Sequence, residues 1–216
     1  MIADIIAQTL LVTPSGAFSP GPLTTAAVVE GAVRATPRLA VRAGLKVAAG
    51  HMAFELPYVL ALSLLANFLT SLRAPLAAIS LAFSLFFAYL TVRDGLAALR
   101  GGYNLNNRKP IFASPFAAGL VFTGANPYFL MWWATVGLPL VDLAVQYGAL
   151  GVAVMYASHV WMDYFWLALM ASLGGGASRV LGSRRYGYLL IALAALLVLF
   201  GVNIFLKAFT SIALIP

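Results

Sequence analysis

The sequence predicts an all-α membrane protein whose six transmembrane helices form a 3+3 inverted-topology repeat, with the first and fourth helices broken at proline. The first observation behind this prediction is composition, because 62% of the 216 residues are hydrophobic and only 9% are charged. A soluble domain carries about 25% charged residues. The second observation is that basic residues concentrate on alternate connections of the chain. The third is a pattern of prolines, histidines and acids that occurs twice.

Six apolar stretches are long enough to cross a bilayer, for which a helix needs about 20 residues. They cover residues of about 4–33, 40–69, 75–99, 114–141, 146–173 and 185–211. No Lys or Arg precedes Arg34, so the first stretch lacks the basic region of a cleaved signal peptide and is predicted to be retained. The whole chain, residues 1–216, is therefore predicted to be a single transmembrane domain.

Eleven of the 13 Lys and Arg residues fall on or beside the first, third and fifth connections. They are Arg34, Arg38, Arg42, Lys46, Arg93, Arg100, Arg108, Lys109, Arg179, Arg184 and Arg185. By the positive-inside rule this side faces the cytoplasm, and both termini lie outside it in a multi-pass protein of the cell inner or plasma membrane. Insertion and anionic lipid headgroups account for the net charge of +7, so no nucleic-acid partner is predicted.

The chain divides at a polar segment, predicted to be a cytoplasmic loop of about residues 101–113. Repeat one then covers about residues 1–100 and repeat two about residues 114–216. Three spans per half is an odd number, so the second half enters the membrane from the opposite side. This is the arrangement of an inverted-topology repeat.

Each half begins with a helix that contains a proline tract near mid-bilayer. The tracts are Ser19-Pro20-Gly21-Pro22 and Asn126-Pro127, and Pro127 follows Pro20 by 107 residues. Proline lacks an N–H group and clashes with the preceding turn, so these tracts are expected to interrupt their helices. The resulting half-helix N-termini would attract a carboxylate or another anion. The alternative is a proline kink that serves packing alone.

The second helix of each half carries a histidine and a carboxylate four residues apart, His51 with Glu55 and His159 with Asp163, at an offset of 108 residues. Residues four apart share a helix face, and ionisable side chains are costly at this depth. Three interpretations stay open. The pairs tie the bundle together; or the acids bind a cationic group or protons while the histidines tune or relay them; or all four ligate a divalent metal ion.

The sequence resembles the lysine exporter (LysE) family of small secondary transporters. The resemblance rests on Ser19-Pro20-Gly21-Pro22, Ala49-Gly50-His51, Gly119-Leu120 and Asn126-Pro127-Tyr128-Phe129-Leu130, and together with the six spans it covers essentially the whole chain. It implies export of amino acids or related small metabolites, driven by an ion gradient. Many members have an aspartate at the position of His51, so the substrate and the coupling ion do not follow from the resemblance.

These observations together predict a secondary active transporter that exports an amino acid or related small metabolite by alternating access, with a divalent metal cation exporter as the alternative. Its site residues are predicted to be Ser19, Pro20, Gly21, Pro22, His51, Glu55, Asn126, Pro127, His159 and Asp163. A proton or sodium ion is the expected coupling ion, no cofactor is predicted, and the oligomeric state stays open. An enzyme is not predicted, because the chain has no His-Glu-x-x-His motif and no cysteine. A purely structural membrane protein is a further alternative.

Overall fold

The computed structural model describes residues 2–18, 21–70, 73–100, 112–174, 182–210, 212 and 214. Helices dominate this part of the chain, and none of its residues belongs to a β-strand. The predicted all-α class is therefore confirmed for the described residues. Most of the segment predicted as the cytoplasmic loop, residues 101–111, lies outside them.

The helices are α1 (Ile2–Val12), α2 (Pro14–Ala17), α3 (Pro22–Ala32), α4 (Pro37–Thr70), α5 (Arg73–Leu99), α6 (Pro115–Gly124), α7 (Pro127–Trp132), α8 (Leu138–Val145), α9 (Gly148–Ser172) and α10 (Gly182–Thr210). A π-helical segment, Trp133–Gly137, joins α7 to α8. Among the described residues, three stretches are long and apolar enough to cross a membrane: Pro37–Leu65, Ala77–Leu99 and Leu190–Thr210. The chain is therefore a multi-pass membrane protein, and the count of six spans stays a prediction.

Local sequence signals explain where several helices begin. Ser114 accepts a hydrogen bond from the backbone N–H of Ala117, and Pro115 occupies the first position of α6, where its missing N–H costs nothing. Asn126 and Pro127 repeat this arrangement at α7, with the side chain of Asn126 accepting from the N–H of Tyr128. At α9 the turn requires Gly148, whose φ of 64° is a left-handed conformation that favours glycine.

The first segment of each half is not one continuous helix. α2 ends at Ala17, and Gly21, just before α3, is extended rather than helical. A second interruption separates the end of α6 at Gly124 from the start of α7 at Pro127. Ser19 and Pro20, which the sequence predicts to lie at the first break, are outside the described residues. The two interruptions lie close together, because a Cβ atom on Gly21 would stand 3.8 Å from Nδ2 of Asn126.

Glycines allow the helices around the centre to approach closely. A Cβ atom on Gly31 of α3 would overlap the carbonyl of Ala171 in α9, and one on Gly44 of α4 would lie 2.5 Å from the carbonyl oxygen of Leu167. The contact between α4 and α6 is equally close, with Gly50 against the carbonyl of Phe116 and Gly119 against that of Val47. Small residues commonly line helix contacts within membranes for this reason.

The helices form a central bundle and a peripheral pair. Within the bundle, α4 packs against α6 and α9, and α3 packs against α4, α9 and α6. α10 packs chiefly against α5, which also contacts α7 and the π-helical segment. The second helices of the two predicted repeats, α4 and α9, therefore meet at the centre, and the third helices, α5 and α10, pair outside it.

A buried histidine and carboxylate cluster as the candidate functional site

The two His/carboxylate pairs predicted from the sequence meet where α4 crosses α9. His51 and Glu55 come from α4, and His159 and Asp163 come from α9. The exposed fractions of these residues are 3%, 1%, 2% and 5%, so all four are buried. Buried ionisable groups need partners because water no longer solvates them, and the contacts among these four supply part of that need.

Glu55 is the centre of the cluster. Its Oε1 accepts hydrogen bonds from Nε1 of Trp133 at 2.9 Å and from Nε2 of His159 at 3.2 Å. Its Oε2 accepts one from the hydroxyl of Tyr156 at 3.1 Å. All three donors lie in the second half of the sequence, whereas Glu55 lies in the first. Hydrogen bonds to a charged group are stronger than neutral ones, so this carboxylate ties the two halves together.

The proton position on His51 follows from a chain of hydrogen bonds. The hydroxyl of Thr123 donates its single proton to the carbonyl of Gly119 at 2.6 Å. The contact of 2.9 Å between Thr123 Oγ1 and His51 Nδ1 is therefore a bond in which the imidazole donates. This assigns a proton to Nδ1 and directs Nε2 toward the acids, 3.3 Å from Glu55 Oε1 and 3.8 Å from Asp163 Oδ1. Nε2 makes no hydrogen bond with any described residue.

His159, in the second half of the chain, makes the corresponding contact with a threonine of the first half. Its Nδ1 lies 3.0 Å from the hydroxyl oxygen of Thr13, at the end of α1. Each histidine of a second helix thus contacts a threonine of the other half's first segment. The two histidines differ at Nε2, because that of His159 donates to Glu55 whereas that of His51 has no such bond.

Asp163 is the less engaged of the two acids. Its Oδ2 lies 3.2 Å from Nε2 of His159, but Oδ2 makes no hydrogen bond with the described residues. The distance therefore reports an ion-pair contact at an unfavourable hydrogen-bond angle, because the N–H of His159 is directed at Glu55 instead. Asp163 is thus free to accept a further polar or cationic group.

The cluster faces a narrow cavity of about 40 Å³. Its walls come from both interruptions and both second helices: Gly16, Ala17, Gly21, Leu23, Thr24, His51, Glu55, Asn126, Tyr128, Phe129, Trp132, Trp133, His159, Asp163 and Leu167. No described residue of α5 or α10 is among them. The bundle alone therefore builds the site, without the peripheral pair.

Six of the ten residues predicted for the site line this one cavity: Gly21, His51, Glu55, Asn126, His159 and Asp163. Pro22 and Pro127 are the first residues of α3 and α7, the helices that resume after the two interruptions. Ser19 and Pro20 lie outside the described residues. The role of these ten residues in binding stays a prediction.

Tyr156, whose hydroxyl donates to Glu55, also lines a larger apolar groove of about 660 Å³. The groove runs between the second half of α4 and the α8–α9 corner, and it is lined by Leu56, Leu60, Ser63, Leu64, Val145, Gly148, Ala149, Val152, Ala153, Tyr156, Ala157 and Val160. Tyr156 presents its ring to this groove and its hydroxyl to Glu55. Tyr156 therefore belongs both to the apolar groove and to the hydrogen bonds of the cluster.

Sequence reasoning missed three polar partners of the cluster: Thr13, Thr123 and Tyr156. The two threonines are 110 residues apart, which is outside the offsets of 107 and 108 shared by the prolines and the ionisable pairs. Tyr156 precedes His159 by three residues, so a search of that helix face for hydroxyl groups would have found it. Trp133 also donates to Glu55 and lines the cavity.

A multi-pass helical chain with a charged cluster buried between its helices is a membrane transport protein in its general class. Residues 14–208 match the LysE type translocator family, and the chain belongs to that family. The resemblance predicted from the sequence is therefore confirmed. Neither the curated proteins nor the solved structures contain a significant match.

Proposed function

We propose that this translocator exports an amino acid or a related small metabolite by alternating access around the cavity between α4 and α9. The observation that carries the proposal is the meeting of both ionisable pairs and both helix interruptions at that one cavity. Transporters built from inverted repeats bind substrate at the interface of the repeats, between interrupted helices. Membership in the translocator family supports transport in general, and the cavity supports this site.

The contacts between helices are those expected of a 3+3 inverted repeat. α4 packs against α9 and α5 against α10, so each helix of a pair has its counterpart from the other half as a neighbour. The crossed contacts of His51 with Thr123 and His159 with Thr13 support the same relationship. In this proposal, proline interrupts the first and fourth spans, both termini are extracytoplasmic, and the protein resides in the cell inner or plasma membrane.

The cavity offers one end to a carboxylate and the other to an amine. Asn126 caps the start of α7, whereas Gly21 provides no side-chain cap at the start of α3, where Leu23 and Thr24 also line the cavity. An uncapped helix N-terminus presents backbone N–H groups and a partial positive charge. A substrate carboxylate is therefore assigned to the start of α3. Asp163, the acid with fewer hydrogen bonds, is assigned to the substrate amine or to a coupling proton or sodium ion.

The size of the cavity requires a conformational change during transport. A cavity needs about 10–15 Å³ on this measure to hold one water molecule, so about 40 Å³ accommodates about three waters or an ion with one or two waters. Even the smallest amino acid has several times as many non-hydrogen atoms as water. The described conformation corresponds to a closed state in this proposal. Substrate enters when the glycine contacts of α3 and α4 with α9 separate on one side of the membrane.

The decisive experiment is amino-acid counterflow in proteoliposomes. Ligands are first chosen by thermal shift across an amino-acid panel, and the radiolabelled hits are then assayed with the variants Glu55→Gln and Asp163→Asn. Both variants are expected to lose counterflow, because each removes a carboxylate from the cavity. Asp142→Asn is the matched control, since Asp142 lies on α8 and does not line the cavity. Full activity in both cavity variants would refute the assigned roles.

A further inference from the structure

We infer that His51, Glu55 and Asp163 also form a binding site for one divalent transition-metal ion. This inference goes beyond amino-acid export, because it concerns the occupancy of the cluster by an ion. Three observations support the metal site: the distances between the ligand atoms, the orientation of His51 and the charge of the cavity.

The ligand atoms of the three residues are spaced as a metal requires. One donor atom from each lies within 4.8 Å of the other two, and Nε2 of His51 is 3.3 Å from Glu55 Oε1 and 3.8 Å from Asp163 Oδ1. Zinc binds nitrogen and oxygen ligands at about 2.0–2.2 Å, which places neighbouring ligands of a tetrahedral site about 3.4 Å apart. The two distances from His51 are within a few tenths of an ångström of this spacing, and the widest pair of donor atoms must close by up to about 1.4 Å around an ion.

His51 is oriented as histidine ligands are oriented in metal proteins. Such a histidine uses one ring nitrogen for the metal and donates the N–H of the other to a protein acceptor, which fixes the tautomer and the ring plane. Here Nδ1 donates to Thr123, and the hydroxyl of Thr123 is in turn held by the carbonyl of Gly119. Nε2 then points into the cluster, where it has no hydrogen-bond partner among the described residues, and it serves as a ligand atom once it carries no proton.

The two carboxylates around Nε2 of His51 favour a cation at this position. Glu55 and Asp163 both approach Nε2 of His51, and no described residue that lines the cavity is Lys or Arg. Buried anions without a counter-charge are strongly unfavourable, and a cation at Nε2, either a ring proton or a bound ion, supplies that charge. His159 compensates part of this charge through its bond to Glu55. A divalent ion between His51 and the acids compensates the rest.

The two carboxylates have unused acceptor sites, and the cavity has space for the ion. Oε1 of Glu55 accepts two hydrogen bonds and Oε2 accepts one, so the spare site among the about four of a carboxylate is on Oε2, the oxygen available to the ion. Asp163 makes fewer contacts still. The cavity of about 40 Å³ has room for an ion with one or two waters that complete its coordination. One imidazole with two carboxylates is a donor set for Zn²⁺ or Mn²⁺ rather than for Ca²⁺ or Mg²⁺, which prefer oxygen ligands alone.

The test measures metal binding to the purified full chain, without transport. After chelator treatment, the protein in detergent is titrated with Zn²⁺ by calorimetry and with Co²⁺ by visible absorption, and Mg²⁺ serves as the hard-cation comparison. One Zn²⁺ per chain is expected, with a Co²⁺ spectrum typical of four or five nitrogen and oxygen ligands. His51→Gln and Asp163→Asn are each expected to abolish both signals.

Two threonine variants keep the test decisive if a ligand variant fails to fold. Thr123→Val removes the acceptor that orients His51 and is expected to weaken binding about 10- to 100-fold, the usual effect of losing such a partner. Thr13→Val makes the same chemical change beside His159, which is not a ligand, and is expected to leave Zn²⁺ affinity unchanged.

Three outcomes overturn the site: no Zn²⁺ or Co²⁺ binding by the wild-type chain, binding that survives His51→Gln, or equal effects of the two threonine variants. If the chain binds no metal while Glu55→Gln abolishes counterflow, the cluster serves protons or substrate, and only the metal inference fails. If metal binds as described but no amino acid is transported, the inference stands and amino-acid export fails.

Discussion

Nε2 of His159 lies 3.2 Å from Oε1 of Glu55, and this hydrogen bond joins α9 to α4 at the centre of the protein. The two residues are 104 positions apart in the chain and come from different predicted repeats. Because Trp133 and Tyr156 donate to the same carboxylate, Glu55 stabilises the contact between the halves as well as the cavity. Several predictions about stability, access and topology concern this arrangement.

Glu55→Gln is expected to lower the thermal stability of the purified protein. The amide keeps one acceptor oxygen but replaces the other by an NH₂ group, so at least one of the three donors loses its partner. A buried donor left without an acceptor costs about 1–3 kcal/mol. A thermal-denaturation series in detergent measures the shift, with Asp142→Asn on α8 as the control. An unchanged melting temperature in Glu55→Gln would contradict the bonds described here.

Tyr156→Phe is expected to reduce transport while leaving the protein folded. The substitution keeps the ring that lines the apolar groove and removes only the hydroxyl that donates to Glu55. Hydrogen bonds to charged groups contribute about 1.5–3 kcal/mol, so a measurable loss of stability accompanies the change. Tyr58→Phe is the matched control, because its hydroxyl donates to the carbonyl of Leu130 instead. Equal transport by the two variants would argue against a role of the Tyr156 hydroxyl in transport.

Asn126 is expected to matter mainly as a helix cap. Its side-chain oxygen accepts from the N–H of Tyr128, and removing such a cap costs about 1 kcal/mol. Asn126→Ala should therefore lower the melting temperature, whereas Asn126→Asp retains an acceptor and should preserve it. Circular dichroism during heating compares the two. A similar loss in both variants would assign the effect of Asn126 to the cavity instead of the cap.

Gly44→Ala is expected to destabilise the contact between α4 and α9. The added methyl group would lie 2.5 Å from the carbonyl oxygen of Leu167, so the helices must move apart. Overpacking of this kind costs about 1–3 kcal/mol. Ala53→Val adds volume to an exposed position of the same helix and should be tolerated. Comparable melting temperatures for the two variants would show that the helices have room to separate.

The predicted topology is testable because the chain has no cysteine of its own. Ala113→Cys places a thiol in the predicted cytoplasmic loop, and Ile212→Cys places one at an exposed position near the C-terminus. A membrane-impermeant maleimide added to intact cells should label the second variant directly and the first only after permeabilisation. The reverse pattern would invert the orientation derived from the basic residues.

Regular spacing made much of this site predictable. His51, Glu55, His159 and Asp163 stand out because ionisable residues are rare in apolar helices, and their offset of 108 placed both pairs in equivalent positions. The starts of α6 at Pro115 and of α7 at Pro127 likewise obey a local rule, in which a capping side chain precedes a proline. These features depend only on composition and on positions along one helix.

Contacts between helices did not follow from the same reasoning. Whether Thr123 reaches His51, or Tyr156 reaches Glu55, depends on the rotation and crossing of helices, which a sequence period does not specify. The glycine contacts between α4 and α9 determine how closely these helices approach. The sequence does not predict them, because glycines occur throughout the chain. The proton position on His51 required the hydroxyl of Thr123 to be located first.

The separation of Glu55 from its partners has a consequence for synthesis of the protein. Glu55 lies within the apolar stretch Pro37–Leu65, but its histidine partner from the other half is encoded 104 residues later. At about 5–20 residues per second, the ribosome needs roughly 5–20 s to reach it. Trp133 follows Glu55 by 78 residues and Tyr156 by 101, so for most of that interval the nascent chain lacks all three groups that donate to the carboxylate. Insertion and folding are thus separate events in time, and the first half matures only when the second arrives.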